Sequence, residues 1–118
     1  MREVIISNEV KDGLVELKQK LLGLQGIEKG QKTFDSIMNA IDNLEIFEIG
    51  RNIKSEYNID CPDNWFILYT HMNYFVFSRT ETMVTILKMY NEREDIIYDL
   101  FGIEMRSQES KEYWGEWL

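Results

Sequence analysis

The chain has 118 residues, 44% of them hydrophobic and 29% charged, with a formal net charge of −8. That length suits one core, and that composition suits a folded chain rather than a disordered one. The negative balance weighs against general binding to a nucleic-acid backbone, which needs clustered Lys and Arg.

The charge is unevenly spread: residues 92–118 hold eight acids against three bases, so −5 of the −8 lies there. Val4-Ile5-Ile6 is too short an apolar run for a signal peptide, and no apolar run reaches the roughly 20 residues that span a bilayer. The sequence therefore predicts a cytoplasmic protein with no membrane partner. The lone Cys61 has no internal partner for a disulfide, which suits a reducing compartment.

In chain order, Arg2–Ile6 predicts a short strand, with Ser7 or Asn8 as the N-cap of a first helix. Val10, Leu14, Leu17, Leu21 and Leu24 then recur at steps of four and three, which places one apolar stripe on that helix. The glycines around Gly23-Leu24-Gln25-Gly26 mark a break. A second stripe comes next at Phe34, Ile37, Met38, Ile41 and Leu44. Two such helices form an αα-hairpin whose apolar face needs a sheet to cover it.

Gly50-Arg51-Asn52 reads as a turn, and Asp60–Asn64 as a loop holding the only proline, Pro62. Lys54–Ile59 fits either an edge strand or coil. Trp65–His71, Tyr74–Arg79 and Met83–Tyr90 have strand length and strand composition, and the polar breaks between them are short. They predict an antiparallel meander.

Strict alternation puts Phe75, Phe77 and Arg79 on one face of the middle strand and Tyr74, Val76 and Ser78 on the other. In the last strand it groups Val84, Ile86, Lys88 and Tyr90 on one side. Few positions are polar on either face. One helical hairpin covers one face, so the C-terminal tail or a partner chain is expected on the second.

Glu92–Phe101 has Ile96, Ile97, Leu100 and Phe101 at helical spacing, with acids in the first turn, where the helix dipole favours them. Ser107–Leu118 reads as one more short helix with Tyr113, Trp114 and Trp117 crowding one side. Those aromatics either cover the chain's own sheet or anchor a partner. The expected fold is a single α+β domain over residues 1–118: an N-terminal strand, an αα-hairpin on a small antiparallel sheet, and a C-terminal helical extension.

The run Asn73–Asp95 resembles the signature region of the RelE/ParE superfamily of toxin–antitoxin toxins. Phe75-Val76-Phe77-Ser78-Arg79 is similar to that family's aromatic strand ending in arginine. Val84-Thr85-Ile86-Leu87-Lys88 is similar to its Val-x-Ile-Leu-Arg strand, and Asn91–Asp95 to the element after it. The helical hairpin with Gly50-Arg51 fits the family layout, and Asp99–Ile103 with Tyr113-Trp114-Gly115 resembles an extension found in one branch.

The resemblance implies a toxin that either cleaves messenger RNA on the ribosome or inhibits DNA gyrase, held inactive by a cognate antitoxin. The implied partners are that antitoxin and either gyrase or the ribosome with its mRNA; a homo-oligomer is left open, and no cofactor or metal is implied. On the nuclease reading Arg79, Lys88, Tyr90 and Arg93 would stabilise phosphate and move protons. Arg51, Tyr113, Trp114 and Trp117 would contact the partner.

The sequence departs from the pattern at Asn91, where many ribonuclease members carry histidine; asparagine does not titrate. The acidic charge departs from it too. Both favour the ParE-like branch, with a catalytically empty interaction module as one alternative and an mRNA endoribonuclease with a non-histidine site as the other. The lone His71 is expected to be solvated beside a turn, Cys61 has no catalytic partner in view, and Glu92–Asp95 reads as a solvated first turn.

Overall fold

The computed structural model describes residues 1–91 together with Ile96, Tyr98 and Asp99. β1 (Glu3–Ile6) leads into α1 (Asn8–Gln25) and α2 (Ile27–Asp42), and a single 3₁₀ turn comes next at Asn43–Glu45. β2 (Arg51–Asn52) runs directly into α3 (Ile53–Tyr57), and then come β3 (Trp65–Thr70), β4 (Asn73–Arg79) and β5 (Met83–Tyr90). The sheet order is β1-β5-β4-β3-β2.

The α+β class, the N-terminal strand, the helical hairpin and the β3-β4-β5 meander are as the sequence predicts. The sheet, however, is mixed: β1 pairs parallel with β5, Glu3 opposite Met83 and Ile6 opposite Ile86, while the other pairs are antiparallel. Local pattern could not reveal this, because β1 meets a partner about eighty residues away and only the tertiary fold sets their relative direction. Ile96, Tyr98 and Asp99 are helical, as expected for that stretch. The proposed tail helix at Ser107–Leu118 lies outside the described residues.

The helices start and stop for local reasons. Ser7 is extended (φ −61°, ψ 156°), and its Oγ accepts from the amide of Val10, an N-cap bond. Gly26, at φ +87°, ends α1 and opens α2. α2 therefore starts seven residues before the first residue of its apolar stripe. The three residues that open it, Ile27, Glu28 and Lys29, are exposed, so hydrophobic spacing gave no sign of it. Leu24 is likewise exposed and drops out of the expected α1 stripe.

β3 and β4 are joined by a two-residue turn, His71-Met72, with φ +48° and +65°. Positive φ at both central residues is the handedness that matches strand twist.

The two sheet faces carry separate cores. On the first, Val10, Leu14 and Leu17 of α1 and Ile37 and Ile41 of α2 pack on Phe75, Phe77, Val84 and Ile86. On the second, Ile53 and Tyr57 of α3 pack with Ile67, Tyr74, Val76, Tyr90 and Ile96.

Among the described residues the second face is covered by α3 and the stretch through Ile59 and Cys61, together with Ile96 of the C-terminal segment. Ile96 sits where the sequence expects the tail, while the cover by α3 was not foreseen. Lys54–Ile59 is neither edge strand nor coil as far as Tyr57. Asn52 caps α3 by accepting from the Ser55 amide at 2.8 Å, and the i, i+4 pair Ile53/Tyr57 forms its buried side.

The alternation expected of β5 fails at one residue. Val76 lies opposite Lys88 but Phe77 lies opposite Ile86, so Leu87 is an extra residue, a β-bulge. Val84 and Ile86 face the first core, while Lys88 and Tyr90 lie on the second face with Val76 and Tyr74. The bulge is tied to the start of α1: the Ser7 amide donates to Ile86 O at 3.1 Å, and Ser7 Oγ donates to Leu87 O at 3.2 Å.

Candidate functional site

Arg79 ends β4 on the first face, opposite Val84. Its guanidinium lies 4.0 Å from the centre of the Phe66 ring and donates from Nη1 to the Ile49 carbonyl at 2.9 Å. Phe66 in turn stacks on Phe77 at 5.5 Å between ring centres. Burial presses the Arg79 pKa below the ordinary guanidinium value, with Glu48 acting against that and Arg2 adding to it. Arg2 donates to the Thr80 carbonyl and pairs with Glu48, both at 2.7 Å. Two arginines therefore strap the 48–49 segment to the end of the sheet.

Lys88 and Tyr90 are elsewhere. They lie on the second face, opposite Val76 and Tyr74 respectively. At about 3.4 Å per residue those positions are roughly 10 and 17 Å along the strand from Arg79. Lys88 is exposed and Tyr90 is buried. The bulge is the reason: Arg79 packs against Phe66 on the first face, and the extra residue Leu87 carries Lys88 and Tyr90 to the other.

Asn91, at the position where the resemblance would place histidine, is exposed just after β5. Arg93, Tyr113, Trp114 and Trp117 lie outside the described residues. His71 occupies the β3–β4 turn, its Nδ1 in a 2.7 Å hydrogen bond with Thr70 Oγ1. Burial raises the Cys61 thiol pKa, with Lys54 opposing the shift, so the sulfur is a poor nucleophile near neutrality.

Arg51 does fall in a concave place. It shares the second face with Ile67, its register partner, at the β2 edge of the sheet. A groove of about 380 Å³ opens there, lined by Gly50, Arg51, Tyr57, Tyr69 and Tyr74 among others. Arg51 is hydrogen-bonded to Tyr57, and that bond raises the arginine's pKa. The Tyr69 and Tyr74 rings are 4.7 Å apart, and Tyr69 is exposed.

Sequence reasoning did not single out these three tyrosines. The signal was present in part: Tyr69 and Ile67 share strand parity, and Tyr57 follows Ile53 by one helical turn. The Gly50 turn at φ +102° places Arg51 beside them. A Cβ at Gly50 would stand 2.8 Å from Phe77 Cζ, so a side chain there is excluded by space as well as by backbone.

No described helix is long and apolar enough to cross a membrane. The fold and this surface define an α+β domain with an arginine–tyrosine groove on a sheet edge. The chain matches no family model and no curated protein.

Proposed function

We propose that this chain is a toxin-like protein of RelE/ParE layout that acts in the cytoplasm by binding a macromolecular target. In this reading it does not cut RNA, and a cognate antitoxin neutralises it. The observation that carries the proposal is the dispersal of the groups a nuclease would need. Arg79 is engaged by Phe66 and the Ile49 carbonyl, while Lys88 and Tyr90 lie on the opposite face of the sheet.

RNA cleavage needs a base, an acid and positive charge converging on one phosphate. Asn91 offers neither acid nor base, and the net charge of −8 opposes a polyanion. The strand, helical hairpin and meander on which the resemblance rests support the layout; a fold by itself does not carry activity.

Inducible expression in a bacterium, without any antitoxin, tests this. Growth should stop, RNA mapping should show no new cuts within translated messages, and Lys88→Ala should arrest growth like the parent. Normal growth would overturn the toxin reading, and message cleavage lost in Lys88→Ala would overturn the non-catalytic one.

A further inference from the structure

Among the described residues, the β2 edge of the sheet is incomplete. β2 pairs with Phe66 and Ile67 of β3, and at Gly50 the chain turns out of the strand line at φ +102°. The Arg79 amide donates to Asn64 O at 3.0 Å. By the two-residue alternation of an antiparallel ladder, Phe66, Leu68 and Thr70 then exchange main-chain bonds with β4. Ile67 and Tyr69 direct theirs outward. Ile67 meets Arg51, while the outward groups of Tyr69 lie beyond the end of β2. Such groups are a template for another strand.

Among the described residues that line the groove beside them, Arg51 alone is charged, and Glu56 acts on it from nearby. Arg51, Ile67 and Tyr69 share a face by register. None of the ion pairs among the described residues uses Arg51. Tyr57 engages the guanidinium, whose five N–H donors leave others for a carboxylate. The exposed Tyr69 ring, against Tyr74, gives an apolar wall.

We infer that this edge captures an extended peptide segment bearing an acidic side chain. The segment's main chain extends the sheet at Tyr69, and its carboxylate sits on Arg51. A phosphate backbone fits less well: it makes no use of paired outward N–H and C=O groups, and it would face one arginine on a chain of net charge −8. The inference rests on the binding reading above for the partner's role. Growth arrest is scored in cells and peptide capture with purified protein, so the two fail separately.

The test is selection from a random phage-displayed peptide library on the full chain, and then titration of the selected peptides into isotope-labelled protein. Selected peptides should share Asp or Glu within a β-branched run and should slow hydrogen exchange at the Tyr69 amide. Arg51→Glu should weaken them at least about tenfold.

Tyr69→Pro should weaken them as much, because it removes the outward N–H while sparing the β3–β4 ladder; Tyr69→Thr, which keeps that N–H, should weaken them less. Circular dichroism checks that each variant is folded. Four results would overturn the inference: no enriched peptide, equal binding to Arg51→Glu, tighter binding of an oligouridylate at the same residues, or self-association that perturbs Tyr69 in place of peptide.

Discussion

Gly30 of α2 lies against the main chain of α1, and replacing it should be costly for a reason that can be worked out from distances. A Cβ added there would stand 2.6 Å from the Leu21 carbonyl oxygen, 2.7 Å from its carbon and 2.9 Å from Leu22 Cα. All three obstacles are main chain, so no side chain can swing aside, and α1 must retreat by at least about 0.4 Å.

Overpacking of this kind costs about 2–3 kcal/mol, and the helix propensity of alanine returns about 1. Gly30→Ala should therefore lose about 1–2 kcal/mol. Gly23, in α1, is the internal control: it is also helical, but a Cβ there meets nothing within 4 Å. Gly23→Ala should gain about 0.5–1 kcal/mol. At about 4 °C per kcal/mol the two variants should differ in melting temperature by roughly 6–12 °C, with the parent between them. Thermal and urea unfolding monitored by circular dichroism would measure this. A Gly30→Ala protein that melts at or above the parent would refute the close-approach argument.

Other outcomes rest on equally local features. Replacing His71-Met72 by Asn-Gly should stabilise the protein by about 1 kcal/mol in urea unfolding, because both turn residues have positive φ. Arg79→Lys should lose about 1–2 kcal/mol, since an ammonium reproduces neither the planar stack on Phe66 nor, with it, the Nη1 bond to the Ile49 carbonyl; Lys88→Ala, at an exposed site, should stay within about 0.5 kcal/mol of the parent.

The Cys61 thiol pKa is raised chiefly by burial, so its contribution is complete below the ordinary thiol range and lost as pH rises through the folded value. Cys61→Ser should flatten that alkaline decline in a pH series of melting temperatures. Asp63 behaves oppositely: Lys54, at 2.8 Å, holds its carboxyl pKa below the ordinary value, so its small contribution is present above the carboxylate range and fades as pH falls. Asp63→Asn should blunt part of the acid-side loss, and added salt should shrink the difference.

The features legible in the sequence are those a short window encodes. The stripes Val10-Leu14-Leu17 and Ile37-Met38-Ile41 identified the helical hairpin, and the split of Phe75 and Phe77 from Tyr74 and Val76 across two faces is as alternation predicts. The features that stayed hidden depend on distant partners. The parallel placement of β1 is set by residues 83–86. The bulge at Leu87 is fixed by the pairing of β5 with β4 and by Ser7, which bonds Ile86 O and Leu87 O from the other end of the chain.

That one extra residue decided the candidate site. Strict parity grouped Val84, Ile86, Lys88 and Tyr90, and the bulge sends the last two to the second face. Arg51 read as part of a turn because Gly50 does bend the chain; the tyrosines that complete its groove come from α3, β3 and β4, and only the fold assembles them.

The parallel β1–β5 pairing also bears on how the protein is made. Glu3–Ile6 must wait for Met83–Ile86 before it has its neighbour. At ordinary elongation rates the interval is about 4–16 s. During it both helices can form, but the Phe75, Phe77, Val84 and Ile86 surface that receives them has yet to be synthesised. The nascent chain thus presents the stripes of α1 and α2 uncovered for seconds, a window in which chaperone engagement or a slower codon run near residues 83–90 would change the yield of folded protein without altering its final stability.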